Sequence, residues 1–315
     1  MYKIFIILIL LNCLSDAKDI TPLYKFHSVG FVSDFVLNEN KLYVANDMGT
    51  IDIFDFKTAK IIEQISLPPL TSSFNKIIPA DILSVDYLNG KLLILSVGEN
   101  SYRNVWIYKN HTLKQIINED KKMSIKKARF INDENIIFST IGSDIILHDT
   151  SEKYNVYDSH ISDSAMQDMT LSLDKTKMVI SDESGEIKLI DVKTSKILNI
   201  YTGLNLDNVY KVAYSNGTII TAGQDRRVGV YQDNKKAYYI KSDFLVFCVG
   251  ISPSGEIGIY SSGEQSDMQV FKIKTGLKSN RLIGHKNVIN QIKFIDENHL
   301  LSSERGHDVL YWKIK

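Results

Sequence analysis

Residues Ile220 to Gln232 read ITAGQDRRVGVYQ. An apolar run, Ile219-Ile220-Thr221, enters a polar turn. A second run, Val228-Gly229-Val230-Tyr231, leaves it with alternating side chains. Alternation at period two is the pattern of a half-buried strand. Gly223-Gln224-Asp225-Arg226-Arg227 suits the connection, with a glycine for a positive φ and an Asp that can bond nearby backbone. The stretch therefore predicts a β-hairpin, and the question is whether it recurs.

It recurs along the whole chain. Residues equivalent to Tyr231, each closing an alternating run, are Phe54, Tyr108, His148, Ile190, Phe271 and Trp312. With Tyr231 in its place the intervals are 54, 40, 42, 41, 40 and 41 residues. A period near 40 belongs to a four-stranded propeller blade. Turn signals agree with it. Asn38-Glu39-Asn40, Asn89-Gly90, Asn132-Asp133-Glu134-Asn135, Asp174-Lys175, Asn216-Gly217, Pro253-Ser254-Gly255 and Asp296-Glu297-Asn298 stand between the first and second strands of seven units. Asp55-Phe56-Lys57-Thr58-Ala59-Lys60 returns as Asp191-Val192-Lys193-Thr194-Ser195-Lys196 after the third strand.

The ends predict closure. The last unit stops at its third strand, Asp308 to Lys313, while Thr21 to Ser28 supplies a spare strand. The expected fold is all-β: a seven-bladed propeller over residues 18–315, closed by the N-terminal strand pairing into the last blade.

The sequence has 315 residues, with 37 basic against 37 acidic side chains. Nothing in it makes a basic stripe for nucleic acid. Lys3 followed by Ile4 to Leu11 and then Ser15-Asp16-Ala17 reads as a signal peptide over residues 1–17, cleaved near Ala17. Its apolar core spans only about 12 Å as a helix, short of the roughly 30 Å of a bilayer core. No transmembrane segment is expected in the mature chain, which is expected in the periplasm. Leu10-Leu11-Asn12-Cys13 is a poor lipoprotein cleavage site, since Asn12 stands where a small residue is usual. Loss of Cys13 leaves Cys248 alone in an apolar run, so it is expected to be an inert buried thiol.

Gly284-His285 and the run after it match the Gly-His opening of a WD40 repeat, with Ser302 and Trp312 at that motif's Ser and Trp places. In the fifth unit Thr221, Asp225 and Tyr231 take the Ser, Asp and Trp places. The chain thus resembles the degenerate WD40-like propellers. The resemblance implies that Thr221, Asp225, Tyr231, His285, Ser302 and Trp312 form hydrogen-bonded structural networks rather than catalytic sites. It departs at Gly306, where Asp is expected, and at Gly203-Leu204, which stand near the Gly-His position with one extra residue. The whole-chain look also resembles the NapL family, accessory proteins of the periplasmic nitrate reductase. That implies a role in assembling, maturing or coupling the reductase, with its subunits as partners.

Chemistry is sparse. The seven histidines are scattered, and no nucleophile elbow, phosphate-cradling Gly loop or His-Glu-x-x-His run appears. No catalytic residue, cofactor or metal is expected, and the state expected is a monomer. Quinoprotein propellers rely on recurrent tryptophans, whereas only Trp106 and Trp312 occur here. An exported propeller enzyme of lactonase or quinoprotein kind stays a rival reading, as does an outer-membrane assembly scaffold. The enzyme reading would need inward-facing His, Asp or Glu from several blades. Irregularities mark where a regular array binds. The long interval holds an insertion, Leu67 to Ala80, and two second-to-third strand loops are unusual, Gly98 to Asn104 and Gly263 to Asp267. Phe74, Lys76, Tyr102, Arg103, Arg226 and Arg227 are the expected partner face, since Tyr and Arg favour interface centres.

Overall fold

The computed structural model describes residues 18–72, 74–233 and 235–315. The segment expected to be a signal peptide, with Cys13, lies outside them. Seven antiparallel sheets follow one another around a ring. Blade 1 runs Val32–Asn38, Lys41–Asn46, Thr50–Asp55 and Lys60–Ser66, from the innermost strand outward. Inner strands of blades 2 to 6 are Ile82–Leu88, Ile125–Phe130, Met166–Leu171, Val209–Ser215 and Val249–Ile251. Blade 7 has Ile289–Phe294, His299–Glu304 and Asp308–Lys313, and its fourth strand is Tyr24–His27.

The ring closes as the sequence predicts. Tyr24 pairs with Tyr311 and His27 with Asp308, antiparallel. Phe26 is fully buried there, and His27 Nδ1 lies 2.6 Å from Asp308 Oδ1. A shorter strand was not foreseen. Asp19–Ile20 pairs parallel with the outer strand of blade 6, Lys278–Leu282, and Arg281 grips Asp19 with two bonds of 2.9 and 3.0 Å.

The core is divided among the seams. Seven apolar clusters each join two neighbouring blades, including the closing seam of blades 7 and 1. A blade is covered on both faces, so its middle strands cannot keep a solvent face. Leu42 to Asn46 and Thr218 to Gly223 are buried at every residue, whereas Lys60–Ser66, an outer strand, is mostly exposed.

The opening hairpin is the second-to-third connection of blade 5, Thr218–Gly223 to Arg227–Gln232. Its glycine serves another purpose than expected. Arg226, not Gly223, takes the positive φ, 64°. A Cβ on Gly223 would collide with the Asn205 side chain, so the glycine makes room for a neighbour. The insertion carries its own hairpin, Leu70–Thr71 against Ile77–Ile78.

Candidate interaction face and central channel

Blade 7 assembles the polar network the resemblance implies, with one substitution. His285 Nε2 lies 2.6 Å from Ser302 Oγ, and Trp312 Nε1 donates to the same oxygen at 2.8 Å. The missing Asp is replaced by Glu304, at the end of the second strand. Its carboxylate lies 3.0 Å from His285 Nδ1 and accepts the Lys286 and Asn287 amides at 2.7 and 3.1 Å. Burial would raise the Glu304 carboxyl, but His285 and the two amides outweigh it and hold it at about 2. Gly306 plays no part in these bonds.

Blade 5 departs further. Thr221 Oγ1 donates to Asn205 Oδ1 at 2.6 Å, and Asn205 Nδ2 donates to Asp225 at 3.1 Å. Asn205 thus fills the histidine place, one residue beyond Gly203-Leu204. Tyr231 does not join the network. Its ring packs 5.0 Å from Tyr201, and its buried hydroxyl has no partner. A phenol hydroxyl sits at the far end of its ring and cannot stand in for an indole N–H set partway along it.

Two further blades build analogous clusters from other residues. In blade 1 Ser28 Oγ donates to Asp52 at 2.7 Å, and in blade 4 Ser162 Oγ donates to Asp182 at 2.7 Å. Ser28, Ser162, Asn205 and His285 each stand four residues before their inner strand. A polar residue at that offset was the signal that would have found all four clusters.

The six expected face residues lie at one end of the ring, because last-to-first and second-to-third connections emerge on the same face. They do not form one patch. Phe74 is 83% exposed and Lys76 is exposed, on the inserted hairpin. Beside them Ile77 is 79% exposed, which sequence reasoning did not single out. The hairpin turn is pinned by Ser72, whose backbone and hydroxyl bond Lys76 at 2.8 and 3.1 Å. Tyr102 and Arg103 are half-buried, and Arg103 folds back onto the carbonyls of Ser101 and Tyr102. Arg226 is exposed, but it stands three blades away. Arg227 is committed to the Leu204 carbonyl at 3.1 Å and to the Tyr239 ring at 4.4 Å. The opposite face holds a groove of about 760 Å³ near blades 5 to 7, with Phe271, Ile314, Lys272, Lys274 and Lys315 in its lining.

Inward-facing carboxylates do occur, and cations tie them down. Asp34 meets Arg129 at 2.9 Å and Lys293 at 3.1 Å, and accepts the Val85 amide of the next blade at 3.1 Å. Asp168 meets Lys127 at 2.7 Å and Lys211 at 3.6 Å, and accepts the Val212 amide at 3.2 Å. Burial opposes ionisation of both acids, but these cations hold Asp34 far below the ordinary carboxylate range and Asp168 at about 2. Acids so held are poor proton donors at neutral pH. Burial pushes the Cys248 thiol up to about 12, which leaves it unreactive. Each histidine is paired where it stands, as His299 is with Asp296 at 2.9 Å and His160 with Asp144 at 2.9 Å. Among the described residues no group of three or more His, Cys, Asp or Glu could hold a metal ion.

The architecture defines a seven-bladed propeller of WD40-like kind. The chain is similar to the crystal structure of the Myceliophteria thermophila Cps50 (Swd1) β-propeller domain. The TM-score is 0.72 at 13% identity, covering 93% of this chain and 99% of that one. At that identity the likeness shows the fold alone. No protein-family model matches the chain, and no curated protein matches it. Altogether 1888 chains of solved structures match, so sharing this ring does not select a function.

Proposed function

We propose that the protein is an exported, non-enzymatic interaction platform whose docking element is the inserted hairpin between blades 1 and 2. The carrying observation is the exposure of Phe74 and Ile77, 83% and 79%, on a turn fixed by its own hydrogen bonds. Exposed apolar side chains on an ordered projection lose little conformational entropy when a partner covers them. Lys76 beside them supplies a charge at the rim of such a contact. The absence of nucleic-acid-like charge patterning fits a protein partner.

The finer reading is an accessory role in the periplasmic nitrate reductase system, with reductase subunits as the docked partners. Its support is the resemblance of the whole sequence to that family and the export signal at residues 1–17. The test is crosslinking and affinity capture of the tagged mature chain from its native periplasm, followed by mass spectrometry. Capture of reductase subunits that is lost in the Phe74→Ala, Ile77→Ser double variant supports both levels. Capture of other proteins through the same hairpin keeps the platform and removes the nitrate reductase role. Capture that ignores the hairpin removes the docking element, and enrichment of outer-membrane assembly proteins favours that scaffold.

A further inference from the structure

The axis of the ring is neither apolar nor evenly charged. A cavity of about 90 Å³ opens there, lined from six of the seven blades, with Lys126, Lys127, Lys211 and Ser139 beside the carboxylates of Asp34 and Asp168. Five cations surround this level of the channel: Lys126, Lys127, Arg129, Lys211 and Lys293. Asp34 and Asp168 each bind two of them, as described above. Asp86 caps the Phe130 amide at 2.8 Å and lies near Arg129 and Lys293. Counting Asp86, the positive charges exceed the carboxylates by two. Glu183 reaches Lys126 only from the exposed side, where it holds Gln167 at 3.0 Å.

Two groups at the cavity make no direct bond to a carboxylate, although Asp168 and Glu183 act on Lys126 from a distance. Lys126 Nζ is given to the Met166 carbonyl at 2.5 Å and to Gln167 Oε1 at 3.2 Å, both neutral acceptors. Ser139 is 1% exposed, and its hydroxyl has no hydrogen-bond partner at all. A buried hydroxyl without a partner carries the desolvation cost of that group. Excess cations in a partly dry site are likewise costly until a counter-charge enters.

We infer that the central channel is a binding site for a small inorganic anion, held by Lys126, Lys127, Lys211 and the Ser139 hydroxyl. The size selects the ligand class. The cavity is small and polar, with room for several waters or for one anion of the size of chloride, nitrate or phosphate. Burial lowers the pKa of Lys126, which a bound anion would reverse. The site is independent of the docking hairpin, on a different set of residues.

The experiment is isothermal titration of the whole mature protein with chloride, nitrate and phosphate. Ionic strength is held constant with gluconate, a bulkier organic anion of lower charge density. The expected result is saturable binding of one anion per chain, with a matching rise in Tm that gluconate does not give. Lys126→Met should weaken binding at least tenfold, and Ser139→Ala several-fold. Should Lys126→Met not fold, Ser139→Ala carries the test, because it removes only an unbonded hydroxyl. Binding that gluconate reproduces, binding unchanged in Ser139→Ala, or no saturable binding of any of the three anions overturns the assignment.

Discussion

Blades 5 and 7 hold their entering loops by the same plan and with different parts. In blade 7 a carboxylate, an imidazole, a hydroxyl and an indole form one chain, from Glu304 through His285 and Ser302 to Trp312. In blade 5 the chain is shorter, from Asp225 through Asn205 to Thr221, and the aromatic ring has dropped out. What survives in both is a hydroxyl at the hub and a carboxylate that caps loop amides, Lys286 and Asn287 in one case and Leu206 in the other. The lesson is that the invariant requirement is to satisfy the backbone amides of the loop that enters each inner strand. The identity of the side chain that relays the bond is open to substitution.

The comparison breaks first at the carboxylates. Glu304→Ala leaves the buried His285 ring and the Lys286 and Asn287 amides without their shared acceptor, at a cost of about 3 kcal/mol. Asp225→Ala strands the Asn205 side-chain amide and the Leu206 amide and leaves the part-exposed Arg227, 3.7 Å away, without its carboxylate, at about 1–3 kcal/mol. Urea denaturation midpoints measure both, and equal losses would mean that the imidazole adds nothing.

The next test is pH. The folded Glu304 carboxyl titrates at about 2 against 4.5 when free. Its contribution is therefore fully present above pH 4.5 and lost as pH falls through about 2, a span worth about 3 kcal/mol. Asp34 and Asp168 act in the same direction, so the difference from Glu304→Gln is the readout. The variant should have a shallower fall in stability with acid, seen by thermal melts between pH 5 and 2.

The aromatic positions give a smaller contrast. Trp312→Phe removes the bond to Ser302 and some packing, for about 2 kcal/mol. Tyr231→Phe removes a hydroxyl that has no partner, so its change should lie within about 0.5 kcal/mol of zero or be stabilising. A loss at Tyr231 as large as at Trp312 would restore the tyrosine to the network. Smallest of all, Phe74→Ala with Ile77→Ser should change stability by about 0.5 kcal/mol or less, since both side chains are exposed. Any larger loss in a melt would mean that the hairpin packs on the ring rather than projecting from it.

The ring, its seven units and its closure were legible because they are written in local signals: turn residues, alternation and a spare strand. The channel was not. Lys126-Lys127-Ala128-Arg129-Phe130 alternates like any solvated strand, and a single sequence does not tell a face turned to water from one turned to the axis. Only ring closure brings Asp34 and Lys293 within 3.1 Å from opposite ends of the chain. Glu304 escaped for a related reason. The motif places its acid in the turn, while here the longer glutamate reaches the same loop from the strand before it. Asn205 escaped because a neutral amide was not sought where an imidazole was expected. Asp19–Ile20 is only two residues long, too short to carry a period.

The closing strand also imposes an order in time. Tyr24–His27 has its partner at Asp308–Lys313, so nearly the whole chain must exist before that pairing can form. Contacts this distant in sequence are slow to make, because the entropy of closing the loop comes before any gain. Until then the third strand of blade 7 offers an unpaired edge, and Phe26 has no seam to enter. The protein is thus most vulnerable to aggregation in the interval between completing its last blade and recruiting its first strand. A chaperone that shields that edge would shorten the risk without touching the finished ring.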